Sequence, residues 1–111
     1  MKLPVQITFH HIDASNALET EIRSRDAKLD QFHPHVLSCR VVVTGEANRK
    51  QQGNPFSLRL DIKVKGHEFA ITRSGSHEDP FVAVRDAFDA ARRQIEALAQ
   101  EMRGEVKTHV K

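Results

Sequence analysis

Seven histidines, one cysteine and seventeen Lys/Arg side chains hold most of the chemistry available to this 111-residue chain. Metal binding is the first possibility that histidines raise. His10 and His11 close a strand-like segment, whereas His33 and His35 follow a helical stretch of about 17 residues, roughly 25 Å at 1.5 Å per residue. The two pairs therefore sit at opposite ends of a small domain. His33, His35 and His67 share one end with Glu68 nearby, yet their spacing matches no zinc motif and surface loop histidines are commoner than ligands. No metal site and no cofactor are expected. Cys39 stands between Leu37 and Val41 at an inward strand position, so it reads as a small core side chain rather than a nucleophile. Ser76-His77 has no Gly-x-Ser-x-Gly elbow around it, and no Gly-rich loop ends in Lys-Ser or Lys-Thr. No catalytic residue is assigned, and an enzyme is not expected.

The elements that position these residues are legible from periodicity. Phe81, Val84, Phe88, Ala91, Ile95, Leu98 and Met102 recur at alternating spacings of three and four, which draws one apolar stripe along a long helix. Asp79 can cap its first turn and Pro80 suits the first helical position; Gly104 is expected to end it. Phe56, Leu58, Leu60, Ile62 and Val64 alternate with Ser57, Arg59, Asp61 and Lys63, the period of a half-buried strand. Val5, Ile7 and Phe9 form a shorter strand, and Leu37, Cys39, Val41 and Val43 the inward face of another. His67, Phe69, Ile71 and Arg73 alternate with Glu68, Ala70 and Thr72 as a last strand beyond a turn at Lys65-Gly66. Between the first two strands Ser15 caps a helix whose inner face is Leu18, Ile22, Leu29 and Phe32. That stripe has a gap near Arg25 and Asp26. Pro34 stops the helix. Gly45 to Pro55 reads as a long polar hairpin loop, and Ser74 to Glu78 as the connection to the long helix.

The order β-α-β-β-β-α predicts an α+β fold: a two-layer sandwich with a four-stranded mixed sheet and two helices on one face. A right-handed crossover sets the second strand parallel to the first, and two hairpins add antiparallel partners. The open sheet face carries Gln6, Thr8, Arg40, Arg59, Lys63, Glu68 and Thr72. Residues 1–104 form a single domain, and 105–111 are expected to fray. With 39% hydrophobic and 29% charged residues the composition is that of a globular protein, and no apolar run nears the roughly 20 residues of a membrane span. No secretory signal is visible at Met1 to Leu3, so a cytoplasmic location is expected, with no membrane partner. The net charge is only +2, but residues 37–75 hold seven Lys/Arg against three acids, a weak basic patch of the kind nucleic-acid binding modules carry. Arg40, Arg59 and Lys63 share the open face, where Asp61 and Glu68 are available to pair with them. That face has no aromatic residue on which a base could stack.

Asp79, Phe81, Ala83, Val84, Asp89, Arg93, Gln94 and Ile95, with a weaker stretch at Ser15, Ala17, Leu18 and Lys28-Leu29, resemble the pattern of the bacterial ribosome hibernation promoting factors and ribosome-associated inhibitor A proteins. The resemblance covers nearly the whole chain. It implies a translation-inhibiting factor that binds rRNA of the small ribosomal subunit near the decoding region and sterically blocks tRNA and mRNA in starved cells. By position it implies that Arg25, Lys28, Arg92 and Arg93 contact RNA phosphates; separately, their shared place on the open sheet face makes Arg40, Arg59 and Lys63 RNA-binding candidates on electrostatic grounds. Neutralising phosphate releases counterions, and Arg can grip phosphate with two parallel hydrogen bonds. A small-molecule substrate is not expected.

The chain also departs from its relatives. They carry several lysines late in the long helix, where this sequence has Glu96, Ala97, Leu98, Ala99, Gln100 and Glu101, and it has an insertion around Ser74 to His77. Fewer phosphate contacts lower the salt slope by about one unit each. A second domain of the kind the long family forms carry is not expected, nor is dimerising ribosomes through one. A different reading stays open, in which a diverged member uses the same fold to bind a protein partner or to self-associate as a homo-oligomer, through an isolated edge strand such as the first or fourth.

Overall fold

A computed structural model describes residues 4–45, 56–75 and 79–110, and their side chains except at 74, 75 and 102–110. The sheet is organised around its most regular strand. In β3 (Phe56–Val64) Phe56, Leu58, Leu60, Ile62 and Val64 are all buried, each between 0% and 7% exposed. Full burial of such a side chain contributes about 1.5–3 kcal/mol, so this one face supplies a large part of the folding drive. β2 (Val36–Gly45) and β4 (His67–Gly75) flank β3 antiparallel, and β1 (Gln6–His10) lies parallel to β2, in the order β1-β2-β3-β4. Ile7, Val41, Leu60 and Ile71 align in one inward row, as alternation requires. The mixed four-stranded sheet and the β-α-β-β-β-α order agree with the sequence reading.

Where strands differ from expectation, the cause is local. Val36, not Leu37, is buried at the start of β2, because a register shift between Val36 and Ser38 interrupts the strict alternation before it resumes at Cys39. β4 continues through Gly75, which pairs with Phe56, so part of the expected connection is strand. Most of the expected hairpin loop lies at 46–55, outside the described residues.

Helix α1 (Asn16–Phe32) starts where Ser15 takes extended backbone angles and its hydroxyl accepts from the Leu18 N–H at 3.2 Å. Its inner face buries Leu18, Ile22 and Leu29, with Asp26 in the gap of the apolar stripe at 6% exposure. Phe32 does not join that face: it is 69% exposed. At 100° per residue Phe32 lies about 80° from Ile22 around the axis, whereas His33 lies about 20° from it and is the residue tucked inward. The His33 N–H closes the helix onto the Leu29 carbonyl at 2.8 Å, and its ring comes 3.5 Å from Glu96 of the second helix.

Helix α2 (Pro80–Val110) opens with the Asp79 carboxylate accepting from the Phe81 N–H at 2.9 Å. Ala83, Val84, Ala87, Phe88, Ala91 and Ile95 form its buried side, and the three alanines let the helix lie close to its neighbours. Phe81 is 40% exposed: periodicity gives a direction around the helix but not how far along it neighbours extend. The helix runs through Gly104 to Val110, where the sequence predicted its end at Gly104. A glycine costs an exposed helix interior only about 1 kcal/mol, which does not by itself force an end.

The crossover from β1 to α1 is tied down by a close backbone approach. His11 adopts φ 58°, and a Cβ built on Gly45 would stand 2.3 Å from the His11 carbonyl oxygen. Only glycine fits there. At the β3-β4 turn Gly66 has open space around it but φ 85°, a left-handed backbone that glycine adopts without steric cost. Gly45→Ala is expected to lower unfolding stability by about 1–3 kcal/mol through that clash, and Ile22→Ala, at a fully buried site, by about 2–5 kcal/mol. Urea unfolding midpoints check both.

Candidate nucleic-acid interface

Two helices laid side by side over a sheet leave a groove along their seam. Near the C-terminal end of α1 this groove is lined by Arg25, Lys28, Leu29, Phe32 and His33 from α1 and by Phe88, Asp89 and Arg92 from α2, enclosing about 160 Å³. The helical period explains the set. Residues 25, 28, 29 and 32 fall on one flank of α1, and 88, 89 and 92 are one turn apart on α2. Three of the four helical cations expected to meet RNA are thus brought together from segments more than sixty residues apart. Arg93 is exposed on α2 but does not line the groove.

The three cations are not equivalent. The Arg25 Nε donates to a Glu21 carboxylate oxygen at 2.7 Å, and both side chains are 31% exposed. This pair, like Arg23 with Glu19 at 2.9 Å, has the acid four residues before the base, the favourable direction along a helix, and is worth about 0.3–0.5 kcal/mol. Lys28 and Arg92 are exposed and, among the described residues, make no ion pair. They are the groove's available positive charges.

The open sheet face holds a wider depression of about 420 Å³ lined by Ser38, Arg40, Arg59, Asp61, Lys63, Glu68 and neighbouring residues. Its size is misleading as a guide to anion binding. Arg59 donates to Asp61 at 2.9 Å, Lys63 stands 3.8 Å from Glu68, and Arg40 faces Asp61 directly across the strands. Two of its three cations are therefore engaged by acids. The sheet cations and the groove also lie on opposite sides of the domain, since both helices cover the other face of the sheet. The seven residues expected to bind RNA do not form one surface.

Sequence reasoning missed Phe32, His33, Phe88 and Asp89 as groove residues. Phe32 was assigned to the core by its place near the stripe, and the angle to Ile22 was the signal that it pointed elsewhere. Among the described residues no three His, Cys, Asp or Glu side chains gather to hold a metal ion. No helix there is long and apolar enough to cross a membrane.

A seam bearing Arg25, Lys28 and Arg92 between two helices, on a two-layer β-α-β-β-β-α domain, makes the molecule a small α+β sandwich. Its fold is similar to a ribosomal subunit interface protein from Coxiella burnetii, with a TM-score of 0.70 at 12% identity over 86% of this chain and 97% of that one. It is similar also to the N-terminal domain of Thermus thermophilus Protein Y, with a TM-score of 0.68 at 14% identity over 88% and 99%. The sequence model described as sigma 54 modulation protein / S30EA ribosomal protein matches residues 5–103. The chain belongs to that family, the one to which the hibernation factors it resembles also belong.

Because Lys28 and Arg92 are exposed and unpaired among the described residues, Lys28→Ala and Arg92→Ala are each expected to change unfolding stability by less than about 0.5 kcal/mol. Matching urea curves for wild type and both variants check this, and a larger loss would mean that these side chains serve the fold.

Proposed function

We propose that the protein is a hibernation-type factor that acts in the cytoplasm by docking on small-subunit rRNA near the decoding region. Occupancy is the whole mechanism. A folded domain seated on that RNA surface excludes tRNA and mRNA, with no reaction, no cofactor, no membrane and no small-molecule substrate involved. The observation that carries this reading is the convergence of Arg25, Lys28 and Arg92 on one groove from two helices. Family membership supports the ribosome as the target.

The physical drive is counterion release, with Lys28 and Arg92 neutralising phosphates and Arg25, paired with Glu21, supplying a third contact in the groove. Arg93, exposed next to Arg92 but outside the groove, supplies a further contact. Arg40, Arg59 and Lys63 play a lesser part, because breaking Arg59–Asp61 and Lys63–Glu68 offsets what a phosphate would return.

Co-sedimentation with purified small subunits tests this. Wild-type binding is expected to weaken steeply with salt, Lys28→Glu/Arg92→Glu to abolish it at physiological ionic strength, and Arg92→Glu/Arg93→Glu to weaken it. Each lost phosphate contact lowers the slope of log affinity against log salt by about 0.9. Arg59→Glu/Lys63→Glu is expected to have the smaller effect. Salt-insensitive binding, or full binding by Lys28→Glu/Arg92→Glu, would contradict RNA docking through the groove and favour a protein partner or self-association through β1 and β4, the outer strands of the sheet.

A further inference from the structure

Phe32 combines two facts that the fold does not need together. It is the most exposed large hydrophobic side chain among the described residues, at 69%, and it lines the groove that holds Lys28 and Arg92. A solvent-facing ring lining the same groove as two cations that make no ion pair among the described residues offers both halves of a nucleotide a partner. The ring face can stack on a base, and the cations can hold the adjoining phosphate. Asp89 completes the lining with the opposite sign. Its carboxylate repels a phosphate toward Lys28 and Arg92 and can accept a hydrogen bond from a base that carries an exocyclic amino group.

We propose that the seam between α1 and α2 is a binding site for one unpaired nucleotide of RNA, with the base stacked on Phe32, the phosphate held by Lys28 and Arg92, and the base edge read by Asp89. This inference rests on the RNA-docking reading above and adds the kind of RNA element recognised. A base inside a duplex is already stacked on both faces and cannot reach a side-chain ring, so the occupant is a looped-out or single-stranded residue. An apolar side chain of a protein could also cover Phe32, but it would leave Lys28 and Arg92 without anionic partners. Charge complementarity therefore selects the nucleotide.

The test uses 12-nucleotide cytidine and uridine oligomers and a 12-base-pair RNA duplex, titrated against the full chain, alongside small-subunit co-sedimentation. F32A and F32L are both expected to weaken cytidine-oligomer binding by about 5- to 150-fold, the range for losing one base–aromatic stack, while F32Y stays close to wild type. Wild type is expected to prefer cytidine, which has an amino group, over uridine, which has none, and D89A to erase that preference. The chain contains no Trp or Tyr, so F32W introduces a single fluorophore whose emission is expected to be quenched by the single strand and unaffected by the duplex. Urea unfolding confirms that each variant is folded. If F32A and F32L bind oligomers and subunits as wild type does while K28E/R92E loses the subunits, the stacking site is overturned and the docking reading stands. If wild type fails to bind small subunits, both fall. Equal binding of duplex and single strand, with no dependence on position 32, also overturns the proposal.

Discussion

One apolar sheet face with two helices to cover it is the constraint from which the rest of this structure follows. Strict alternation along β3 sends Phe56, Leu58, Leu60, Ile62 and Val64 to one side and Arg59, Asp61 and Lys63 to the other. Both helices must then pack on the first side, because burial there removes the apolar rows of all four strands from water at once. That choice divides the cations. Those of the sheet are left on the open face, those of the helices on the far side of the domain. The helical seam exists because α1 and α2 lie together on one layer.

Within each surface, local pairing decides which charges are free to act. Cross-strand and next-but-one neighbours on a sheet stand close enough that Arg59 and Lys63 find Asp61 and Glu68. On α1 the same logic joins Arg25 to Glu21. Lys28 and Arg92 escape it because no acid in the described residues comes within ion-pair distance of them. A net charge of +2 therefore says less about anion binding than two unpaired side chains on facing helices.

Much of the fold was legible in the sequence because the residues that set it are strongly periodic. The strands, the Ser15 and Asp79 caps and the element order all follow from spacing and from side chains with one capping chemistry. What was missed lay where an element begins, ends or is locally interrupted. A register shift exchanged Val36 for Leu37, a 17-residue helix ended with Phe32 turned outward and His33 inward, and a lone Gly104 did not stop a long helix. The candidate site was half legible. Resemblance indicated Arg25, Lys28 and Arg92, but their meeting in one groove, lined also by Phe32 and Asp89, needed the rotation of each helix about its own axis. The same limit made the sheet cations look better than they are, since sequence shows register but not which acid a side chain reaches.

The most direct test of the central claim is the structure of the protein bound to the small ribosomal subunit, determined by electron cryomicroscopy. The account predicts that the α1-α2 seam faces rRNA, with Lys28 and Arg92 within hydrogen-bond distance of phosphate oxygens and the open sheet face turned away. A complex in which the sheet face or a strand edge meets the ribosome, or in which the seam lies in solvent, would contradict it.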